Sequence, residues 1–273
     1  MEAAEIEPTP PVEPAPPTSI APAWHTVVLV AVIVALSIHS AGRFSSSQHE
    51  INRLATYGTA AAMDVAMLAW IGFGLRLKKI PLRSLFGACP MSFRSILRDL
   101  SYAAALWIAA LMVLGSLSSA WSHTEALLTR QAPAAHAPGN AEEALASDPA
   151  KLQTLRTLKR IAPVNGREIA AWMLLCLLVG FTEEVVFRGY LQRQLTSWAR
   201  GSVAWGVAAS ALVFGSGHIY EGARGVFLIA VFGALFSLLA FYRRSLRAGM
   251  MAHAWHDLIT GLAVTLLNAK HLI

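Results

Sequence analysis

The sequence is poor in charged residues. Asp, Glu, Lys and Arg make up only 14% of its 273 residues, whereas soluble domains carry about 25%. Hydrophobic residues make up 55% of the chain and fall into several separate segments. This composition excludes an ordinary soluble domain and indicates a polytopic membrane protein embedded in the lipid bilayer. The net charge of +6 fits basic loops that set membrane orientation, so no nucleic-acid partner is expected.

Cysteine is scarce as well. The two cysteines, Cys89 and Cys176, lie far apart, and Cys176 is in the middle of an apolar run. A structural disulfide is therefore not expected. The N-terminus is acidic and rich in proline and lacks a basic segment, so we also expect no cleavable signal peptide.

Seven apolar segments approach the length of about 20 residues that a bilayer-spanning helix needs. We predict an all-α membrane helix bundle with transmembrane helices at roughly 24–42, 58–76, 100–119, 169–195, 202–220, 225–242 and 246–267. The predicted domains are a disordered Pro-rich tail (1–22), N-terminal transmembrane helices (23–119), a mobile extramembrane loop with a short helix near 149–160 (120–166), and a C-terminal transmembrane bundle (167–273).

The turn after the fourth predicted helix sets the depth of two polar residues. The polar stretch 191–197 extends this helix, and the turn signal follows at Arg200-Gly-Ser202. Glu183 and His218 lie 17 and 18 residues on either side of Arg200. At 1.5 Å per residue, both would lie roughly 25 Å from the turn of an antiparallel hairpin. We therefore expect Glu183 and His218 to face each other.

Ionisable side chains inside membrane helices cost about 2.5–3.5 kcal/mol each on insertion scales, so their positions are informative. Glu184 and Arg188 are four residues apart and can form an ion pair. The structural interpretation of such a pair is that it fixes helix packing. Glu183 has Phe187 at the corresponding position. Its partner must therefore come from another helix.

Further polar residues occur in two other predicted helices. His253 and Asp257 are one helical turn apart and share a face, whereas His256 lies off that face and is expected to be structural. Asp64 has no motif around it, and we expect a packing or hydrogen-bonding role. Carboxylates and imidazoles that converge in an apolar bundle suit water activation, metal binding or proton relay.

Three short motifs follow one another in the last hundred residues: Glu183-Glu-Val-Val-Phe-Arg188, Phe214-Gly-Ser-Gly-His218 and His253-Ala-Trp-His-Asp257. They resemble the EExxxR, FxxxH and HxxxN/D motifs of the CAAX prenyl protease and bacteriocin-processing family of intramembrane proteases, also called CPBP or Abi proteins. The resemblance covers about residues 169–260. It implies an endopeptidase that hydrolyses peptide bonds of membrane-associated or lipidated proteins or peptides.

The resemblance also implies roles for the site residues. Glu183 would be the general base that deprotonates a water held by His218. His253 and Asp257 would orient the scissile carbonyl and stabilise its oxyanion. Other members have asparagine at the last position, and an ionised Asp257 would repel an oxyanion. Asp257 would therefore act in its protonated form or by orienting His253.

Two further points stay open under this resemblance. Glu184 and Arg188 would position Glu183 or bind the terminal carboxylate of the substrate. The reaction would need either no cofactor or a zinc ion. In the zinc-dependent case Glu183, His218 and His253 would be the ligands, because two histidines and a carboxylate are good zinc chemistry.

Other functions have their own signatures. The His-Glu-x-x-His motif of zinc site-2 proteases is missing, and Phe214 replaces the first glycine of the rhomboid Gly-x-Ser-Gly motif, so Ser216 is not expected to be a nucleophile. A non-proteolytic membrane scaffold or bacteriocin-immunity protein with the same bundle stays open. An ion or proton transporter is less favoured, because the chain shows no second copy of the polar segments.

Membrane orientation is ambiguous. The basic loops 76–98 and 243–247 are expected on the cytoplasmic side, which puts the loop 120–166 and His218 towards the outside. CAAX processing is a cytosolic task, so either the substrate enters from outside or from the bilayer, or this orientation is inverted. We expect a multi-pass protein of a bacterial inner (cytoplasmic) membrane. The sequence predicts neither the substrate nor the oligomeric state.

Overall fold

The computed structural model describes residues 18–46, 51–87, 91–128 and 149–270. These residues form eight helices: α1 (Ala23–Ser46), α2 (Arg53–Leu77), α3 (Phe93–Leu128), α4 (Pro149–Ile161), α5 (Gly166–Trp198), α6 (Val203–Ser216), α7 (Gly222–Arg243) and α8 (Arg247–Ala269). Short 3₁₀ turns occur at Leu82–Leu85 and Ile219–Glu221. The described part of the chain contains no β-strand, so the predicted all-α class is confirmed.

Five stretches are long and apolar enough to cross a membrane by length and composition: α1, α2, α3, α5 and the stretch Ile219–Arg243 that contains α7. All seven predicted segments coincide with helices. Two of these helices, α6 and α8, are not both long enough and apolar enough to count as membrane-crossing. Helix α6 has only 14 residues, because it ends at Ser216 and a 3₁₀ turn follows, so the predicted span 202–220 is too long. Helix α8 has 23 residues, but His253, His256 and Asp257 reduce its hydropathy.

The predicted domain boundaries differ from the helices in two places. Helix α3 continues to Leu128, so residues 120–128 belong to a helix and not to the predicted loop 120–166. The short helix expected within this loop is present as α4, and residues 129–148 lie outside the described residues. Most of the predicted tail 1–22 also lies outside them. Its last part is bound, since Ile20 N and Ala21 N donate to Gln194 Oε1 at 2.9 and 3.2 Å.

Local signals define where α5 begins and ends. Asn165 caps its N-terminus, because the side-chain oxygen accepts a hydrogen bond from Glu168 N at 3.0 Å. The predicted turn after α5 is present, with the left-handed residues Arg200 (φ 54°) and Gly201 (φ 92°) between α5 and α6. Helix α5 therefore continues through the polar stretch 191–197, as predicted.

Helix α5 lies at the centre of the bundle. Helix α8 packs along one side of it and α2 along another, while α6 and α7 pack against each other and against its C-terminal half. Gly180 permits the close approach of α8, since a Cβ atom there would lie 2.8 Å from Ala254 N. The arrangement surrounds the Glu183–Arg188 motif with four other helices, α2, α6, α7 and α8.

Within α5, residues Glu184–Leu191 form π-helical turns, and all eight are buried. The Phe187 carbonyl accepts hydrogen bonds from Gln192 N, five residues on, and from the Ser210 hydroxyl of α6 at 2.7 Å. Insertions of this kind are rare, have a wider turn than an α-helix and are frequent at functional sites. They rotate the side chains that follow Glu183 away from α-helical positions.

Candidate active site

Glu184 and Arg188 form the predicted ion pair in the interior of the bundle. Arg188 Nη1 lies 2.9 Å from Glu184 Oε1, and both side chains are completely buried. Arg188 Nη2 donates to the Gly233 carbonyl of α7 at 3.1 Å, and its guanidinium lies 4.5 Å from the centre of the Phe214 ring on α6. The pair therefore joins α5 to α6 and α7, and neither charge is left without a partner in the low-dielectric interior.

His253 of α8 lies between carboxylates of α5. Its Nδ1 is 3.3 Å from Glu184 Oε1, and its Nε2 is 3.3 Å from Glu183 Oε2. Asp257, one turn further along α8, has Oδ2 at 3.9 Å from the same Nε2. The other-helix partner predicted for Glu183 is therefore His253. Because Glu184 faces Nδ1, the Nε2 side of the ring faces the region where Glu183 and Asp257 lie.

Aromatic rings enclose the imidazole of His253. Phe214, Phe232 and Phe236 each present a tilted or edge-on ring, with centroids 6.0, 6.0 and 5.5 Å from that of His253. His253 is only 4% exposed. These rings restrict the imidazole to one orientation and keep water away from its sides, which strengthens its electrostatic contacts.

The two adjacent glutamates have different surroundings. The side chain of Glu183 is 19% exposed, whereas that of Glu184 is 0% exposed. Gly249 of α8 makes room for Glu184, since a Cβ atom there would lie 2.6 Å from Glu184 Oε2. Asp257 is 27% exposed and lies on the same open side as Glu183. Glu183 is thus the glutamate of the motif that water can reach.

The depth argument predicted that His218 and Glu183 face each other across the turn. Among the described residues no ion pair joins the two directly, and His218 Nδ1 donates to the Phe214 carbonyl at 3.0 Å. The facing arrangement itself stays a prediction. The expectation assumed α-helical rise on both sides of the turn. The π-helical turns after Glu183 and the end of α6 at Ser216 both depart from it. His218 remains near the site, since the Phe214 ring packs against both imidazoles, with its centroid 5.2 Å from that of His218 and 6.0 Å from that of His253.

His256 and Ser216, for which no catalytic role is expected, make ordinary packing and backbone contacts. The His256 ring packs 4.9 Å from that of Phe232, and the Ser216 hydroxyl donates to the Val213 carbonyl of its own helix at 2.8 Å. Asp64 differs from expectation, because Oδ2 is buried and has no hydrogen-bond partner among the described residues. A sequence signal for Asp64 exists in its seven-residue spacing from Tyr57 and Ile71, which are buried on the same helix.

The side chains as placed do not fit the zinc-dependent alternative. Within the described ranges, no group of three His, Cys, Asp or Glu residues is arranged to hold a metal ion. Both ring nitrogens of His253 face carboxylates, and Nδ1 of His218 faces the Phe214 carbonyl. Glu183, His218 and His253 therefore do not present three free donor atoms to one point, and no step is derived through a metal.

Comparison with known proteins is informative for the part of the chain that carries this site. No curated protein and no solved structure matches the chain significantly. Residues 165–259 match the family described as Rce1-like, type II CAAX prenyl endopeptidase Rce1-like. The matched region contains all three motifs, while helices α1–α4 lie outside it. The region that carries the site, residues 165–259, is therefore similar to the Rce1-like type II CAAX prenyl endopeptidases, the family that the three motifs predicted.

Proposed function

We propose that this protein is an intramembrane endopeptidase that cleaves membrane-associated or lipidated proteins or peptides with a water activated by Glu183. The observation that carries the proposal is the position of His253, which lies between Glu183 and Glu184 in an aromatic enclosure. A general base has to reach both water and the reacting group. Glu183 is 19% exposed and pairs with no arginine among the described residues, whereas Glu184 is completely buried against Arg188.

In the proposed reaction, Glu183 takes one proton from water while the water oxygen bonds to the scissile carbonyl carbon. His218 holds the second hydrogen of this water through Nε2, because Nδ1 already donates to the Phe214 carbonyl. His253 donates from Nε2 to the oxyanion that forms, and Asp257 orients His253. When the carbon–nitrogen bond breaks, Glu183 returns its proton to the leaving nitrogen. Glu184 and Arg188 hold this arrangement in place.

Comparison of cells identifies the substrates without a prior choice. Membrane proteins and peptides from cells that carry the wild type or Glu183→Gln would be compared by mass spectrometry of their chain ends. Uncut precursors accumulate in Glu183→Gln cells if the proposal is correct. The matched control is Glu168→Gln, which removes a carboxylate near the start of α5 and should not change processing.

A membrane scaffold or immunity protein is the second candidate. The fully buried Glu184–Arg188 pair and its bond to Gly233 would also hold helices together in a protein without catalytic activity. In that case the Glu183→Gln cells would show normal processing and normal immunity. A loss of immunity together with uncut precursor would favour the protease over this candidate.

A further inference from the structure

Asp64 is a carboxylate on the buried face of α2, outside the motif-bearing helices. Residues Tyr57, Asp64 and Ile71 are buried at seven-residue intervals, which defines a single stripe directed into the bundle. Asp64 is 6% exposed and is the only carboxylate of this stripe. An ionisable residue that faces the interior of a membrane bundle is a functional-site hypothesis by default.

The Asp64 carboxyl group has an acceptor that the protein does not use. Oδ2 is buried and has no hydrogen-bond partner among the described residues. Leaving such a group unpaired costs about 1–3 kcal/mol. If position 64 served only for packing, an apolar side chain such as leucine would therefore give a more stable protein. A role in holding helices together therefore does not explain Asp64, because it makes no bond that holds them.

The contacts of α2 with α5 show that the two helices run parallel. Near their starts, the rings of Tyr57 and Trp172 lie 5.5 Å apart. Near their ends, His25 connects them, since Nε2 is 2.8 Å from the Trp70 carbonyl and Nδ1 is 2.8 Å from the Tyr190 hydroxyl. The two helices are thus in contact at both ends of the segment between these residues.

Asp64 lies at the level of the candidate active site in this register. It is midway between the two contact points on α2, and Glu183 is just beyond the midpoint of the corresponding stretch of α5. Burial and register therefore agree that the unused acceptor faces the site.

We infer that Asp64 is a further residue of this active site and binds the nitrogen side of the scissile peptide bond. The inference rests on the proposed peptidase function. The carbonyl side of the bond has a donor in His253, and the water has acceptors in Glu183 and His218. The peptide N–H needs an acceptor that is not otherwise engaged, and Asp64 Oδ2 is one. After cleavage, the leaving nitrogen is a protonated amine, which a carboxylate binds better than a neutral group does.

The test compares two product analogues on the purified, full-length protein. The probes are the apolar tripeptide Val-Leu-Leu with a free amino terminus and the same tripeptide with an acetylated one, measured as inhibitors and as ligands in thermal-shift titrations. The wild type should bind the free amine about 10-fold more tightly, and Asp64→Asn should lose this preference. Asp64→Ala should also lower kcat more than Asp64→Asn, because asparagine keeps an acceptor oxygen.

The control variant is Tyr57→Phe on the same stripe, which loses the hydrogen bond from the Tyr57 hydroxyl to the Ile161 carbonyl. It should lower the melting temperature and leave the amine preference intact, whereas Asp64→Asn should fold normally because it removes no bond. Equal binding of the two tripeptides to the wild type, or an unchanged preference in Asp64→Asn, would overturn the inference. Failure of the peptidase proposal is seen separately, as cleavage that persists in Glu183→Gln.

Discussion

His253 Nε2 of α8 lies 3.3 Å from Glu183 Oε2 of α5. This contact joins the first and the last motif of the site, which are seventy residues apart in sequence. Glu184 engages the other nitrogen of the same ring, and Arg188 engages Glu184. The chain of contacts positions Glu183, the more accessible glutamate of the motif, against an imidazole that aromatic rings enclose.

The two histidines of the last motif should differ in their effect on activity. His253→Ala removes the partner of Glu183 and the proposed oxyanion donor, so kcat should fall by about 100-fold or more. His256→Ala removes only a ring contact with Phe232 and should change kcat by less than about threefold. Cleavage rates of both purified variants, normalised to folded protein, check this; equal losses would contradict the assignment.

Removal of Arg188 should strongly destabilise the protein, because this residue neutralises the buried Glu184. Arg188→Met leaves Glu184 as a buried charge without its main partner, which should destabilise the protein by about 3–5 kcal/mol. The double variant Glu184→Leu/Arg188→Met should recover most of this loss, because no charge stays buried. Thermal denaturation in detergent measures both effects, with the exposed Arg156→Met as the control. A double variant as unstable as the single one would argue against the ion-pair explanation.

Gly249 is expected to be the glycine at which one methyl group disturbs the site. In Gly249→Ala the new Cβ would lie 2.6 Å from Glu184 Oε2, so the carboxylate must move and His253 with it. We expect a destabilisation of about 1–3 kcal/mol and a clear loss of activity. Gly72→Ala is the control, since nothing lies within 4 Å of its added Cβ. It should be neutral or stabilising, by up to about 1 kcal/mol.

Chelation should not change the rate of peptide cleavage. The nitrogens of His253 both face carboxylates, and the three residues of the zinc-dependent alternative do not converge. Incubation of the purified protein with 1,10-phenanthroline should therefore leave activity unchanged. Loss of activity that added Zn²⁺ restores would contradict the metal-free reaction.

The sequence was a good guide to the polar contacts within one helix and a poorer guide to those between helices. The four-residue spacing of Glu184 and Arg188 predicted their pair, and Phe187 at the fourth position after Glu183 predicted a partner from elsewhere. His253 is that partner, whereas His218, which was expected to face Glu183, forms no ion pair with it among the described residues. A constant rise per residue cannot anticipate the π-helical turns, in which Gln192 N and the Ser210 hydroxyl of another helix both donate to the Phe187 carbonyl.

The ends of the helices and the neighbours of Asp64 also could not be predicted from the sequence. Hydropathy locates the membrane-crossing part of α3, but its ends continue as helix into polar residues such as Arg94 and Glu125. For Asp64, the pattern on α2 shows burial and does not show which neighbour is faced. That information comes from the packing of α2 against α5, which is a tertiary contact.

The most direct measurement of the central claim is the release of the C-terminal tripeptide from a farnesylated peptide that ends in a CAAX sequence. Purified wild type and Glu183→Gln would be assayed side by side, with thermal denaturation to show that both are folded. We expect the wild type to release the tripeptide and Glu183→Gln to release it at least about 1,000-fold more slowly. Release at a similar rate by the folded Glu183→Gln variant would contradict it.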